Sequence, residues 1–195
     1  AASVCARMLE PPTSTSVEKT VADLVSFGAV QVDVTTGHES LTALGKRLAN
    51  LPLDVRLGKF LLLATAFDAG ATNAALTIVA ALTSRSPFLA PLDRQEEADA
   101  AKRRFATQMV AGCIGLSDHL AVLAAYNEWD ALPLLGDERG EFCRRNFLSF
   151  KTLAIMSDMK RSLLQTLSEE GFAKRGIRAN DVALLGKSFG CDGVI

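Results

Sequence analysis

Four sets of residues have types and spacings that could do chemistry. The first is glycine followed by lysine, the pair that ends a phosphate-binding loop. It occurs as Gly58-Lys59 in "LPLDVRLGKF" (51–60) and as Gly186-Lys187 in "GKS" (186–188). Such a loop needs a glycine five positions earlier, so that backbone N–H groups can wrap a phosphate, and a Ser or Thr after the lysine to hold magnesium. At the first site Leu53 replaces the glycine and Phe60 the hydroxyl. At the second Ser188 is present, but Asp181 stands where the glycine must be, and a carboxylate there repels phosphate. No adjacent pair of acids follows an apolar strand to hold magnesium; "DERG" (137–140) opens a helix. The chain carries no ATPase machinery of its own, and no catalytic residue is assigned.

Ser117, Asp118 and His119 are consecutive and could suggest a hydrolase. A triad must converge on one hydrogen-bonded line, whereas neighbours at a helix start point apart. Ser117 or Asp118 as a helix cap, with His119 half-buried and hydrogen-bonded, is the expected arrangement. The third set is thiols. Cys5, Cys113, Cys143 and Cys191 are scattered without a CxxC, and His38 and His119 are far apart. Zinc needs such ligands clustered, so no metal site is assigned, and isolated reduced thiols point to an intracellular protein, cytoplasmic or nuclear.

The fourth set is basic: "KRR" (102–104), "RRNFLSFK" (144–151) and "KR" (160–161). In the second, Arg144, Arg145, Asn146, Ser149 and Lys151 surround a helix break at "NFLS" (146–149). Such a corner can offer N–H groups, a hydroxyl, an amide and guanidinium to a single-stranded backbone. It can equally be a solvated helix end with Ser149 capping the next helix. Paired acids such as Glu96-Glu97 and Glu169-Glu170 read as solvated helix faces.

The elements that must position these groups are mostly helical. The 195 residues are 49% hydrophobic but only 6% aromatic, with a formal net charge of −1, so packing should be aliphatic and any basic surface local. Neither a secretory signal nor a membrane span is present; the longest apolar run, "FLLLATAF" (60–67), is too short. Thr15 and Glu18 have capping-box spacing, followed by Val17, Val21, Leu24 and Val25 on one helical face and a stop at Gly28. Val30, Val32 and Val34 alternate, "TTGH" can turn, and Leu41 opens a returning strand, giving a hairpin. "TALGKRLANL" is a helix ending before Pro52, and another runs from Asp54 to Phe67, with Leu57, Phe60 and Leu61 turning inward and Arg56 and Lys59 facing a neighbouring domain or solvent. Helix, hairpin and two helices suggest a winged helix. Beyond Gly70 only helical patterns follow, ending in "SFKTLAIMSDMKRSLLQTLSEEGF" with Leu153, Met156, Leu163, Leu164 and Leu167 on one stripe. A short helix near 181–187 closes the pattern. The opening "SVCARMLEPP" reads as the end of an upstream helix, so the chain is expected to be a piece of a longer protein.

Six phrases occur in order: "MLEPP", "GAV" with "LTALGKRLANLPLDVRLGKFLLLATAF", "ALTIVAALTSRSPF", "EEADAAKRRFA", "SDHLAVLAAYNEW" and "CRRNFLSFKTL". Together, over about residues 7 to 175, they resemble the helicase-associated region of DEAH-box RNA helicases. The resemblance implies a mainly α fold with a winged-helix-like domain (1–70), a helical ratchet-like bundle (71–175) and a connection toward an OB-fold domain (176–195). It further implies an accessory part of a helicase moving 3′ to 5′ on single-stranded RNA, with ATP and magnesium held in RecA-like motor domains upstream. Partners would be those motor domains, the OB-fold domain, single-stranded RNA and, in some members, a G-patch activator. Carried onto this chain, the corner faces the strand channel, which implies RNA-facing roles for Arg145, Asn146 and Ser149, beside Arg144 and Lys151 of the same basic corner. "MVAGCIG" (109–115) lengthens a loop relative to the family. The rival expectation is a free-standing winged-helix and helical module that only docks proteins.

Overall fold

The computed structural model describes residues 1–107 and 117–173. The chain divides into two compact units, Ala1–Leu63 and Ala64–Ile195. It is mainly α, a small winged helix followed by a helical bundle, with one two-stranded sheet among the described residues.

In the first unit, α1 (Ala2–Cys5) and α2 (Ser14–Ser26) lead into a hairpin of β1 (Val30–Val32) and β2 (Glu39–Leu41), followed by α3 (Ala43–Ala49) and α4 (Val55–Thr65), whose last two residues fall in the second unit. The cap of α2 lies two residues before the expected one. Thr13, not Thr15, accepts the free N–H of Ser16 at 3.3 Å, because the two Pro residues just before it hold the chain extended until there. Gly28 ends α2 at φ +73°, with Ala29 N–H donating to Leu24 O across six residues. The strands pair antiparallel with Val30 opposite Leu41 and Val32 opposite Glu39. Val34 lies outside β1 and is fully exposed, since the Asp33 side chain takes the N–H groups of Thr35 and Thr36, both at 2.8 Å, and turns the chain.

Thr42 joins sheet to helix. Its N–H donates to Ala29 O, its hydroxyl donates to Gly28 O, and its Oγ1 accepts from Gly45 N–H to start α3. This brings α3 against the strand so closely that a Cβ on Gly45 would lie 1.9 Å from Ala29 O. The same logic explains Gly58: a Cβ there would be 3.0 Å from the Leu48 side chain, so the glycine of "LGK" serves helix packing between α3 and α4. Asp54 begins α4 by accepting the Arg56 N–H at 2.9 Å.

The second unit contains α5 (Ala69–Leu82), α6 (Gln95–Ala106), α7 (Asp118–Asp130), α8 (Glu138–Arg145) and α9 (Phe150–Glu169). Every residue of the expected α9 stripe is buried. The small residues Ala80, Ala121, Ala124 and Ala125 allow α5, α7 and α9 to approach. The chain's single Tyr and single Trp, Tyr126 and Trp129, join Phe105 in this core. Cys143 is buried and free, and burial pushes its pKa up to about 11, which leaves an unreactive thiol. The expected helix near 181–187, the long loop at 109–115, the 176–195 connection, Cys113 and Cys191 lie outside the described residues.

Two glycine substitutions separate packing from backbone strain. Gly45→Ala should lose about 3 kcal/mol or more by urea unfolding, because the clash is with backbone. Gly28→Ala meets no atom within 4 Å and should cost only about 1 kcal/mol, the left-handed penalty.

Candidate nucleic-acid interface

The corner between α8 and α9 is built from backbone bonds. Asn146 caps α8, and Leu148 N–H returns to Cys143 O at 2.9 Å, the same six-residue closure that ends α2. There a glycine takes the left-handed position; here Phe147 does, at φ +54°. A non-glycine residue pays about 1 kcal/mol for this geometry, so its surroundings must hold it. They do so through the "SPFL" segment. Leu89 N–H donates to Phe147 O at 2.8 Å, Ser149 N–H donates to Pro87 O at 2.8 Å, and Phe88 bridges Leu148 antiparallel. Ser149 then caps α9, accepting from Thr152 N–H at 3.2 Å and bonding the Thr152 hydroxyl at 2.9 Å.

Side chains of α6 and of its cap residue Arg94 surround this corner. The Arg94 guanidinium lies 4.6 Å from the Phe147 ring centre, and the Lys102 ammonium 5.7 Å from that of Phe88. Phe105 packs between Phe88 and Phe142, with ring centres 6.1 and 6.3 Å away. Arg104 Nη2 donates to Asn146 Oδ1 at 2.9 Å, while Asn146 Nδ2 donates to Phe142 O at 2.9 Å. The amide orientation is fixed by its partners, since a guanidinium only donates and a carbonyl only accepts.

The five nominated residues therefore share one corner but not one role. Arg144 and Arg145 are exposed, each bound to an acid of its own turn region, Asp137 and Glu141, at 2.6 Å. Lys151 is exposed and has no ion pair among the described residues. Ser149 is committed to the cap. Asn146 is turned inward, 5% exposed, because its amide is consumed by Arg104 and Phe142. Sequence spacing passed over Arg94 and gave Arg104 only as part of "KRR", since nothing in a helical pattern says which basic residue meets a distant turn. It also passed over Arg139, which donates to Asp130 O at 2.8 Å and Leu132 O at 3.0 Å and lies 4.4 Å from the Trp129 ring centre, fixing the turn after α7.

Other expectations need correction. Lys59 was expected to face outward from α4, but its Nζ donates to Phe27 O at 2.8 Å at the end of α2, while Arg56 sits 5.4 Å from the Phe27 ring centre. A lysine at a helix C-terminus satisfies an orphan carbonyl, so Lys59 is tied within its own unit, while Arg56 stays exposed. Ser117 occupies the cap position of α7 without a side-chain bond; Asp118 instead pairs with Lys102 at 2.8 Å, which holds its pKa below the ordinary carboxylate value. His119 is exposed rather than half-buried, and no triad forms. The "KR" pair splits: Arg161 pairs with Asp158, and Lys160 is buried at 3% exposure, 4.9 Å from the Tyr126 ring centre. Among the described residues no group of His, Cys, Asp and Glu could hold a metal, and no helix is long and apolar enough to cross a membrane.

A helix–hairpin–helix unit followed by a bundle in which α8 and α9 meet at a pinned corner is consistent with a winged helix plus helical bundle. Over most of its length the chain is similar to DEAH-box RNA helicases, and part of it matches a helicase-associated domain. Residues 54–122 match the family model described as helicase associated domain (HA2), ratchet-like. The chain is 40% identical over 195 residues to the putative ATP-dependent RNA helicase DHX57 of Mus musculus, covering 99% of this chain and 13% of that protein. It is 43% identical over 173 residues to the DExH-box ATP-dependent RNA helicase DExH1 of Arabidopsis thaliana, covering 89% of this chain and 16% of that protein. With the ATP-dependent RNA helicase DHX29 of Homo sapiens it shares 33% over 169 residues, 86% of this chain and 11% of that one. The chain thus spans between 11% and 16% of the length of these curated relatives. The corner at 146–149 lies beyond the residues of the family model.

Two measurements test the electrostatics of this unit. Asn146→Leu should cost about 1–3 kcal/mol, because it strips both Arg104 and the Phe142 carbonyl of a partner. Burial lowers the Lys160 pKa to about 8, opposed in part by Asp130. Below pH 8 the folded state carries an unfavourable buried charge that the unfolded chain does not. Stability should therefore rise by about 2 kcal/mol from pH 7 to 9.5, as the folded lysine loses its proton before the unfolded one does. Lys160→Met should flatten that rise in urea titrations.

Proposed function

We propose that this chain is the accessory region of an ATP-dependent RNA helicase, in which it lines the path of single-stranded RNA during 3′ to 5′ translocation and unwinding. In this reading residues 1–70 act as the winged helix against the motor domains, 71–175 as the ratchet-like wall of the strand channel, and 176–195 as the connection toward an OB-fold domain. ATP and magnesium belong to RecA-like motor domains of the same intracellular protein, and a G-patch activator is a further partner class. The observation that carries the reading is the 40% identity sustained over 99% of the chain with an RNA helicase. A basic corner of defined geometry within it supports the RNA contact.

The wall is electrostatically modest. Arg144 and Arg145 are paired with acids, so phosphate must compete with Asp137 and Glu141 for them. RNA binding by this region alone should be weak and salt-sensitive. Exposed Leu134 and Leu135, at 76% and 89%, favour a second reading, a protein-interaction module without an RNA role.

Unwinding by the natural full-length protein separates the two. Arg145→Ala with Lys151→Ala should weaken single-stranded RNA binding by about tenfold at 0.1 M salt and slow unwinding, with thermal stability unchanged. Unaltered RNA affinity and unwinding would support the docking module instead.

A further inference from the structure

Arg104 stands apart from the other cations near the corner. Arg94 is held bidentate by Glu97, at 3.0 and 2.6 Å, and the pair lowers the Glu97 pKa. Lys102, Arg144 and Arg145 each touch a carboxylate at 2.8 Å or less. A carboxylate partner cancels the charge that a phosphate would need. Arg104 is instead hydrogen-bonded to the neutral amide of Asn146 at 2.9 Å, and its ion pair with Glu128 is looser, 3.6 Å from the same Nη2. The guanidinium is also seated 4.6 Å from the Phe105 ring centre, over a side chain at the bottom of the core. Its orientation is fixed from below, yet the side chain remains 54% exposed.

We propose that Arg104 is a nucleic-acid-contacting residue, presenting its guanidinium to a phosphate of single-stranded RNA beside the corner, and that buried Asn146 is the positioning residue that aims it. This rests on the RNA-channel reading above and moves the amide from direct contact to support. The division of labour follows from donor chemistry. An amide spends no charge when it orients an arginine, whereas an aspartate at the same place would neutralise it. Nη2 is committed to Asn146, and the remaining N–H donors of the guanidinium have no other hydrogen-bond partner among the described residues.

The test is binding of a fluorescein-labelled oligouridine to the natural full-length protein, measured by anisotropy from 50 to 300 mM salt. Arg104→Ala should lower affinity roughly tenfold at 0.1 M salt and reduce the log–log salt slope by about 0.7, the loss of one phosphate contact on a single strand. Arg104→Lys should keep the slope, because the charge remains, and recover only part of the affinity. Asn146→Ala should lower affinity about threefold in the natural background and not at all on top of Arg104→Ala, the signature of action through that arginine. If Asn146→Ala destabilises the fold, the exposed Arg104 variants decide alone. Full affinity and slope in Arg104→Ala, with loss in Arg145→Ala and Lys151→Ala, would overturn the Arg104 assignment and leave the channel reading intact. Unchanged binding in all three would overturn both.

Discussion

The backbone exchange between Pro87–Leu89 and Phe147–Ser149 is the constraint on which the second unit depends. Two hydrogen bonds, which together form the Phe88–Leu148 bridge, tie the extended link after α5 to the turn before α9. They hold Phe147 in a left-handed conformation that the other such helix ends, at Gly28 and Gly171, leave to glycine. The strain is small beside the packing that opposes it. Leu148, the next residue, is buried with Cys143, Leu153 and Met156, so releasing the turn would also open the core. Because the turn cannot move without the core, the backbone from which its side chains emerge has a defined position.

That fixed corner lets a chain with a net charge of −1 offer a local cationic surface. Around the corner Arg94, Arg144 and Arg145 are held by acids within two helical turns and Lys102 by Asp118, which limits non-specific attraction and leaves selectivity to Lys151, without an ion pair among the described residues, and to Arg104, whose hydrogen bond is to an amide. The proposed accessory role would suit this balance: a wall that gripped RNA too tightly would resist translocation, and one with no charge would not guide it. In the first unit Lys59 serves architecture by closing the end of α2.

Much of this was legible in the sequence. The α9 stripe follows from spacing alone, Ser149 from its type and place, and the failure of Gly58-Lys59 as a phosphate loop from two missing residues; its glycine proves to be a packing contact against Leu48. Lys160 was legible as well, since it occupies the stripe between Met156 and Leu163, but a lysine is easily read as exposed whatever its register. The inward turn of Asn146 was not legible. It depends on Arg104, 42 positions away, and on a left-handed Phe147 that has no glycine to announce it. The cap at Thr13 was displaced for a local reason, two prolines that delay the helix. Distant pairing and non-glycine left-handed turns are where one-dimensional patterns stop.

The most direct test of the account is photocrosslinking of 4-thiouridine-substituted single-stranded RNA to the natural full-length protein, followed by peptide mapping of the adducts. The account predicts adducts on the segments that build the corner, 87–104 and 144–151. Adducts within this region confined to other surfaces, such as the hairpin turn at 33–38, would contradict it.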